Sequence, residues 1–132
     1  MGNGEGSASP INSYRDLDVW RVAMDLAVLT YQITSSFPRD EQFGLTSQAR
    51  RAASSVPANI AEGYGRATRP AYVNFLRIAQ GSLKELETHM ILASRIGATT
   101  PEAIEKLLSD ADRSGRMLRG LIVKLTANAP GR

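Results

Sequence analysis

Apolar residues recur every three or four positions in four separate runs, and this spacing restricts the fold more than any other feature. A 3.6-residue repeat puts such residues on one face of an α-helix, whereas a half-buried strand needs alternation. In the first run Trp20, Ala23, Met24, Ala27 and Tyr31 keep the helical beat, and Leu26, Leu29 and Ile33 widen the face. Leu45, Ala49, Ala52, Ala53, Val56 and Ile60 make the second stripe. The third is Tyr72, Phe75, Leu76, Ala79, Leu83, Leu86, Met90 and Ala93; the fourth is Ile104, Leu107, Leu108, Ala111, Leu118, Leu121, Ile122 and Leu125. No segment alternates over strand length, so no sheet is expected. The predicted class is all-α: an up-down-up-down antiparallel four-helix bundle, its last three helices joined by short links.

Punctuation residues divide the runs. The first helix is predicted from Asp16 or Asp18 to Ser35, with early aspartates facing the positive end of its dipole and Phe37-Pro38 ending it. The second starts at Thr46 or Ser47, or a turn earlier near Pro38, and stops at Gly63 and Gly65. Its stripe is small in volume, so a neighbour can come close. Pro57 falls inside it and predicts a kink, because proline removes a backbone donor and crowds the preceding turn. Thr68 followed by Pro70 opens the third helix, and Gly97 ends it. The fourth opens at Thr99-Thr100-Pro101-Glu102, where Thr99 and Glu102 have capping-box spacing. Residues 1–13, rich in Gly and Ser, read as a disordered leader and residues 126–132 as a disordered tail, leaving 14–125 for the bundle.

At 132 residues the chain has room for one core. It has no cysteine, which excludes disulfides and thiolate metal sites and suits a reducing cytoplasm. Charge interrupts every apolar stretch before the roughly 18 residues of a membrane span. Met1-Gly2 suggests myristoylation, but Gly6 stands where that motif needs Ser or Thr. The reading is a cytoplasmic protein without a membrane partner.

A second, polar stripe follows the second helix: Gln48, Ser55, Asn59, Glu62 and Arg66. Ser82, Glu85 and His89 offer a matching row on the third. Steps of three, four and seven put each set on one helix face. The expectation is an interhelical polar network of Gln48, Ser55, Asn59, Glu62, Ser82 and Glu85, of the kind that fixes register when fully satisfied.

The run GLTSQARRAASSVPANIAEGYGR, followed by FLRIAQGSLKELETH, closely resembles the bacterial four helix bundle protein family, also called the intervening-sequence or ribosomal-protein-like family of large-subunit rRNA genes. Gly44, Leu45, Gln48, Arg51, Ser55, Pro57, Asn59, Glu62, Gly63 and Arg66 carry the likeness, as do Phe75, Leu76, Ala79, Gly81, Ser82 and Glu85. It spans roughly residues 14–97; Ala49 departs from it, standing where a larger aliphatic residue is expected. The family is similar to the accessory variability protein of diversity-generating retroelements, a basic bundle that assembles as a pentameric barrel. The resemblance therefore implies a homo-oligomer, a pentamer by analogy, with RNA or DNA as partner, and reverse transcriptase where the gene lies in a retroelement.

Catalytic readings find little support. A di-iron bundle needs two Glu-x-x-His pairs, and the one histidine, His89, has Glu85 and Glu87 at the wrong spacing. Ser54, Ser55 and Ser82 lack an orienting acid and an oxyanion hole. Gly63 and Gly65 lack the strand-turn-helix context and lysine of a phosphate loop. No enzyme, metal or cofactor is predicted. Charge placement is the better lead, within a net charge of +3. Arg50, Arg51, Arg66, Arg69 and Arg77 face Glu62 alone in their stretch, and Arg113, Arg116, Arg119, Lys124 and Arg132 follow with no acid; from Lys84 to Asp112 the chain is mostly acidic. Arginines of this kind contact phosphates without reading sequence, and Tyr64 could stack on a base. The expected nucleic-acid-binding residues are Arg50, Arg51, Arg66, Arg69, Arg77, Arg116 and Arg119. The alternative is a homo-oligomeric scaffold for a protein partner, with the arginines pairing between protomers.

Overall fold

The computed structural model describes residues 10–127. Among them lie four α-helices, two short 3-10 turns and no strand: a 3-10 turn at Tyr14–Asp16, α1 at Asp18–Thr34, a second 3-10 turn at Arg39–Glu41, α2 at Leu45–Tyr64, α3 at Arg69–Arg95 and α4 at Glu105–Thr126. Each helix packs on two neighbours, α1 on α2 and α4, and α3 on α2 and α4, while the backbones of the diagonal pairs stay farther apart. On α2 and α3, Ser55 meets Ser82 while Gly63 meets Tyr72 and Phe75, so these two helices run in opposite directions. Arg50 reaches Tyr31 and Thr34 at the end of α1, whereas Ala58 and Ala61 share a groove with Tyr14 and Trp20 near its start.

The core forms where the four stripes converge. Leu26, Leu76, Leu86, Met90, Leu107 and Leu118 are fully buried, and each such side chain contributes roughly 1.5–3 kcal/mol through removal from water. Thr30, Thr34 and Ser114 are buried as well, which apolar periodicity does not foresee. They remain inside because each hydroxyl donates to a carbonyl one turn back: Thr30 to Leu26 at 2.8 Å, Thr34 to Thr30 at 2.7 Å, Ser114 to Asp110 at 2.9 Å. Among the described residues no buried side-chain nitrogen or oxygen lacks a partner.

Several expectations need correction. Met24 and Tyr31, assigned to the inner stripe of α1, are 38% and 47% exposed. The true inner stripe is Val19, Ala23, Leu26, Ala27, Thr30 and Thr34. Trp20, Met24, Val28 and Tyr31 instead line an apolar groove of about 560 Å³ on the outer side of α1 and α2. The ordered chain starts before residue 14: Ser13 caps the first turn in a capping box with Asp16, while residues 1–9 of the expected leader lie outside the described residues. At the other end α4 includes Thr126, and residues 128–132 lie outside the description.

Gly63 does not stop α2 but lies buried within it, and the helix ends on Gly65. The α4 capping hydroxyl is Thr100 rather than Thr99: it accepts from Ala103 in a separate turn, and the helix proper begins at Glu105. Pro57 sits inside α2, which continues as one helix on both sides of it. Gly97 does end α3: its φ of 81° is the left-handed conformation that glycine adopts without strain, and Ala98 N–H closes back on the Ala93 carbonyl at 2.9 Å.

Candidate nucleic-acid interface

The arginines expected to meet nucleic acid do not form one patch. Arg50 is half-buried and committed to α1: its Nε donates to Thr34 Oγ1 at 2.8 Å, a terminal nitrogen reaches the Tyr31 carbonyl at 3.4 Å, and the guanidinium lies 4.5 Å from the Tyr31 ring centroid. It supplements the bond that this last-turn carbonyl of α1 already accepts from Ser35 N–H, at a terminus where the dipole favours a cation. Arg51 is exposed on the adjacent surface of α2.

A second group gathers where α2 ends and α3 begins. Arg66 is paired with Glu62 at 2.8 Å and stacks over Phe75 at 4.7 Å. Arg69 opens α3 and is exposed. A cation at that helix terminus opposes the dipole, so local helix energetics do not explain it. Tyr64 is half-buried, edge-on to Tyr72 with ring centroids 6.1 Å apart, rather than held out for a base. Burial, and then the neighbouring Tyr64, push the Tyr72 hydroxyl above the ordinary tyrosine value of 10.0.

The third group borders a cleft of about 340 Å³ between α3 and α4, where Lys84 faces Arg116 and Arg119. Leu83 touches Gly115 across this boundary at 3.8 Å from its ideal Cβ position. The short link between α3 and α4 lets those two positions sit level only if α4 returns toward the start of α3. Lys124 therefore lies toward the end of the bundle that holds Arg66 and Arg69, Arg119 lies near the level of Arg77, and Arg116 stands at mid-height beside Ser82. Sequence reasoning left Lys84 in an acidic stretch. Its spacing from Arg77, seven residues or two turns, puts both on one face and could have flagged it. Lys84 and Arg116 have intrahelical partners, Glu87 at 3.3 Å and Asp112 at 2.6 Å. No ion-pair partner is present for Arg69, Arg77 or Arg119 among the described residues. The opposite end carries Asp40, Glu41, Glu102 and Glu105 together with Arg39, Arg95 and Lys106, while Asp16, Asp18 and Glu62 accompany Arg66 and Arg69, so both signs of charge occur at each end.

The polar seam is narrower than expected. Ser55 Oγ and Ser82 Oγ are 2.8 Å apart, and Asn59 Nδ2 donates to the Ser55 carbonyl at 2.8 Å and to Ser55 Oγ at 2.9 Å. Glu62 turns to Arg66 instead, while Gln48 and Glu85 are exposed on the walls of a small cleft shared with Arg51 and His89. Helical spacing set these residues on the right face but not at the right depth. Ser55→Ala should lower stability by about 1 kcal/mol, because Ser82 is buried and loses its partner. The Ser55→Ala/Ser82→Ala double variant should lose clearly less than the sum of the single losses. Additive losses in urea denaturation would show that the pair is not coupled.

Among the described residues no three His, Asp or Glu side chains converge as a metal site requires. Nor is any helix long and apolar enough to cross a membrane. What the geometry defines is an all-α bundle with a hydroxyl-amide seam and exposed cations along α3 and α4. Residues 15–120 match the profile of the family described as "23S rRNA-intervening sequence protein", and the chain belongs to that family. It is also similar to a crystal structure from Bacteroides thetaiotaomicron, a protein of unknown function from the S23 ribosomal protein family. The two are 25% identical with a TM-score of 0.71, over 79% of this chain and 97% of that one. No protein of curated function matches.

Proposed function

We propose that this chain is a non-enzymatic helical-bundle module that binds RNA or DNA through the exposed cations of α3 and α4. The supporting observation is that Arg69, Arg77 and Arg119 are exposed and in no ion pair among the described residues, with Arg119 beside Lys84 and Arg116 at one cleft. Membership of a family named for an rRNA intervening sequence is in keeping with such a partner. Lysines and arginines that release counterions from phosphates give affinity without sequence preference and a steep salt dependence.

Polarisation of a labelled RNA hairpin provides the test. Arg69→Ala and Arg119→Ala should each weaken binding roughly three- to tenfold and lower the slope of log affinity against log salt by about 1. Absence of binding by the unaltered chain at low salt overturns the reading.

The apolar groove on α1 and α2 favours a second reading, a homo-oligomeric scaffold whose copies meet over Met24, Val28 and Tyr31, beside the 90% exposed Phe43. Under that reading Val28→Asp in the groove shifts the sedimentation coefficient, and nucleic acid stays unbound throughout.

A further inference from the structure

We infer that the cleft between α3 and α4 seats one phosphodiester strand of a double-stranded nucleic acid, admitted by Gly81 and Gly115 and held by Lys84, Arg116 and Arg119. This rests on the nucleic-acid reading and gives it a place and a mode.

The first ground is the pair of glycines. Both lie well inside helices, where glycine weakens the helix relative to alanine. Neither has the positive φ that would demand glycine. Packing does not demand it either: a Cβ on Gly81 meets no atom within 4 Å, and one on Gly115 comes no closer than 3.8 Å to Leu83. The contrast is with Gly63, whose Cβ would lie 2.8 Å from Phe75. Gly120 in α4 is as free of neighbours; what sets Gly81 and Gly115 apart is depth, because both line the same cleft from facing helices.

The second ground is what surrounds that depth. Lys84 stands on α3 and Arg116 and Arg119 on α4, so three cations border a cleft of about 340 Å³. A water's share of liquid is about 30 Å³, so a phosphate with part of its ribose has room there. Glu87 and Asp112 also line the cleft, paired within their own helices to Lys84 and Arg116. The Arg116–Asp112 pair is 70% and 63% exposed, weak enough for a phosphate to displace the carboxylate, and Lys84, 78% exposed, can swing from the more sheltered Glu87 toward the cleft.

The third ground is the absence of any aromatic ring among the residues lining the cleft. Unpaired bases need stacking platforms, whereas a duplex presents its backbone outward and asks only for cations and close approach. The cleft therefore suits a duplex backbone, read without regard to sequence.

Filling the cleft without touching a charge tests this directly. Gly81→Leu should keep the helical circular dichroism and melt no lower than the unaltered chain. It should bind a 20-base-pair RNA duplex roughly tenfold more weakly, with a shallower salt slope although no cation has been removed. Gly81→Gln, which adds no apolar surface, should do the same. The unaltered chain should also bind the duplex more tightly than an unpaired oligouridine of equal length. Duplex affinity and slope unchanged in both Gly81 variants, with Arg69→Ala still weakening binding, overturn the cleft but leave the nucleic-acid function standing. Equal or tighter binding of oligouridine overturns the duplex assignment. No binding of either probe at low salt overturns the function itself.

Discussion

Gly63→Ala should destabilise the protein by about 2 kcal/mol, lowering the midpoint of thermal unfolding by roughly 5–10 °C. The direction is opposite to helix propensity, by which alanine inside a helix is favoured over glycine by about 1 kcal/mol. Packing decides the sign. The new Cβ would lie 2.8 Å from Phe75 Cβ, 3.0 Å from Tyr72 Cδ1 and 3.2 Å from the Tyr72 carbonyl oxygen. Two of those atoms belong to, or are fixed by, the α3 backbone, so α2 and α3 must move apart. Circular dichroism melting is sufficient to check it. An unchanged or raised midpoint would show that the close approach of the two helices is not under steric control.

Ala53→Leu should cost a similar or greater amount, about 2–3 kcal/mol. Ala53 is wholly buried beside Ala49, Ala52 and Val56 on the inner stripe of α2. Close-packed interiors leave no void for three added carbons, so a larger side chain must take a poor rotamer or push a helix away. Urea denaturation should show a lower midpoint with little change in slope. The control is Ala58→Leu, on the exposed side of the same helix, which should stay within about 0.5 kcal/mol. Equal losses at both positions would mean that helix propensity, not core volume, sets the outcome.

The part of this fold legible in the sequence is the part written as periodicity. The α2, α3 and α4 stripes correspond to buried positions such as Ala53, Leu86 and Leu118, because a 3.6-residue repeat translates directly into a face. On α1 the same reasoning strayed by one step. Trp20, Met24 and Tyr31 are as periodic as the core residues, and only the buried, back-bonded Thr30 and Thr34 reveal which face turns inward. Gly63 was misread for a related reason: a glycine near a helix end looks like a stop signal until the residue opposite it is known.

The candidate site was legible in composition but not in grouping. Arg50 and Arg69 look alike in sequence, yet one is held by Thr34 and Tyr31 and the other lies in solvent. Lys84 joins the basic group only across α3 and α4, a relation that no single-helix pattern contains.

The close seating of α2 against α3 also bears on the order in which the chain acquires structure. These two helices share the most extensive interface in the bundle and are joined by nothing longer than Gly65–Thr68. Closing so short a loop sacrifices little chain entropy, and contacts between sequence neighbours form ahead of distant ones. The α2–α3 hairpin is thus the natural folding nucleus, onto which α1 and α4 condense. The tight glycine-to-aromatic contact near its turn should then be made early, so that loosening it is expected to slow refolding as well as weaken the native state.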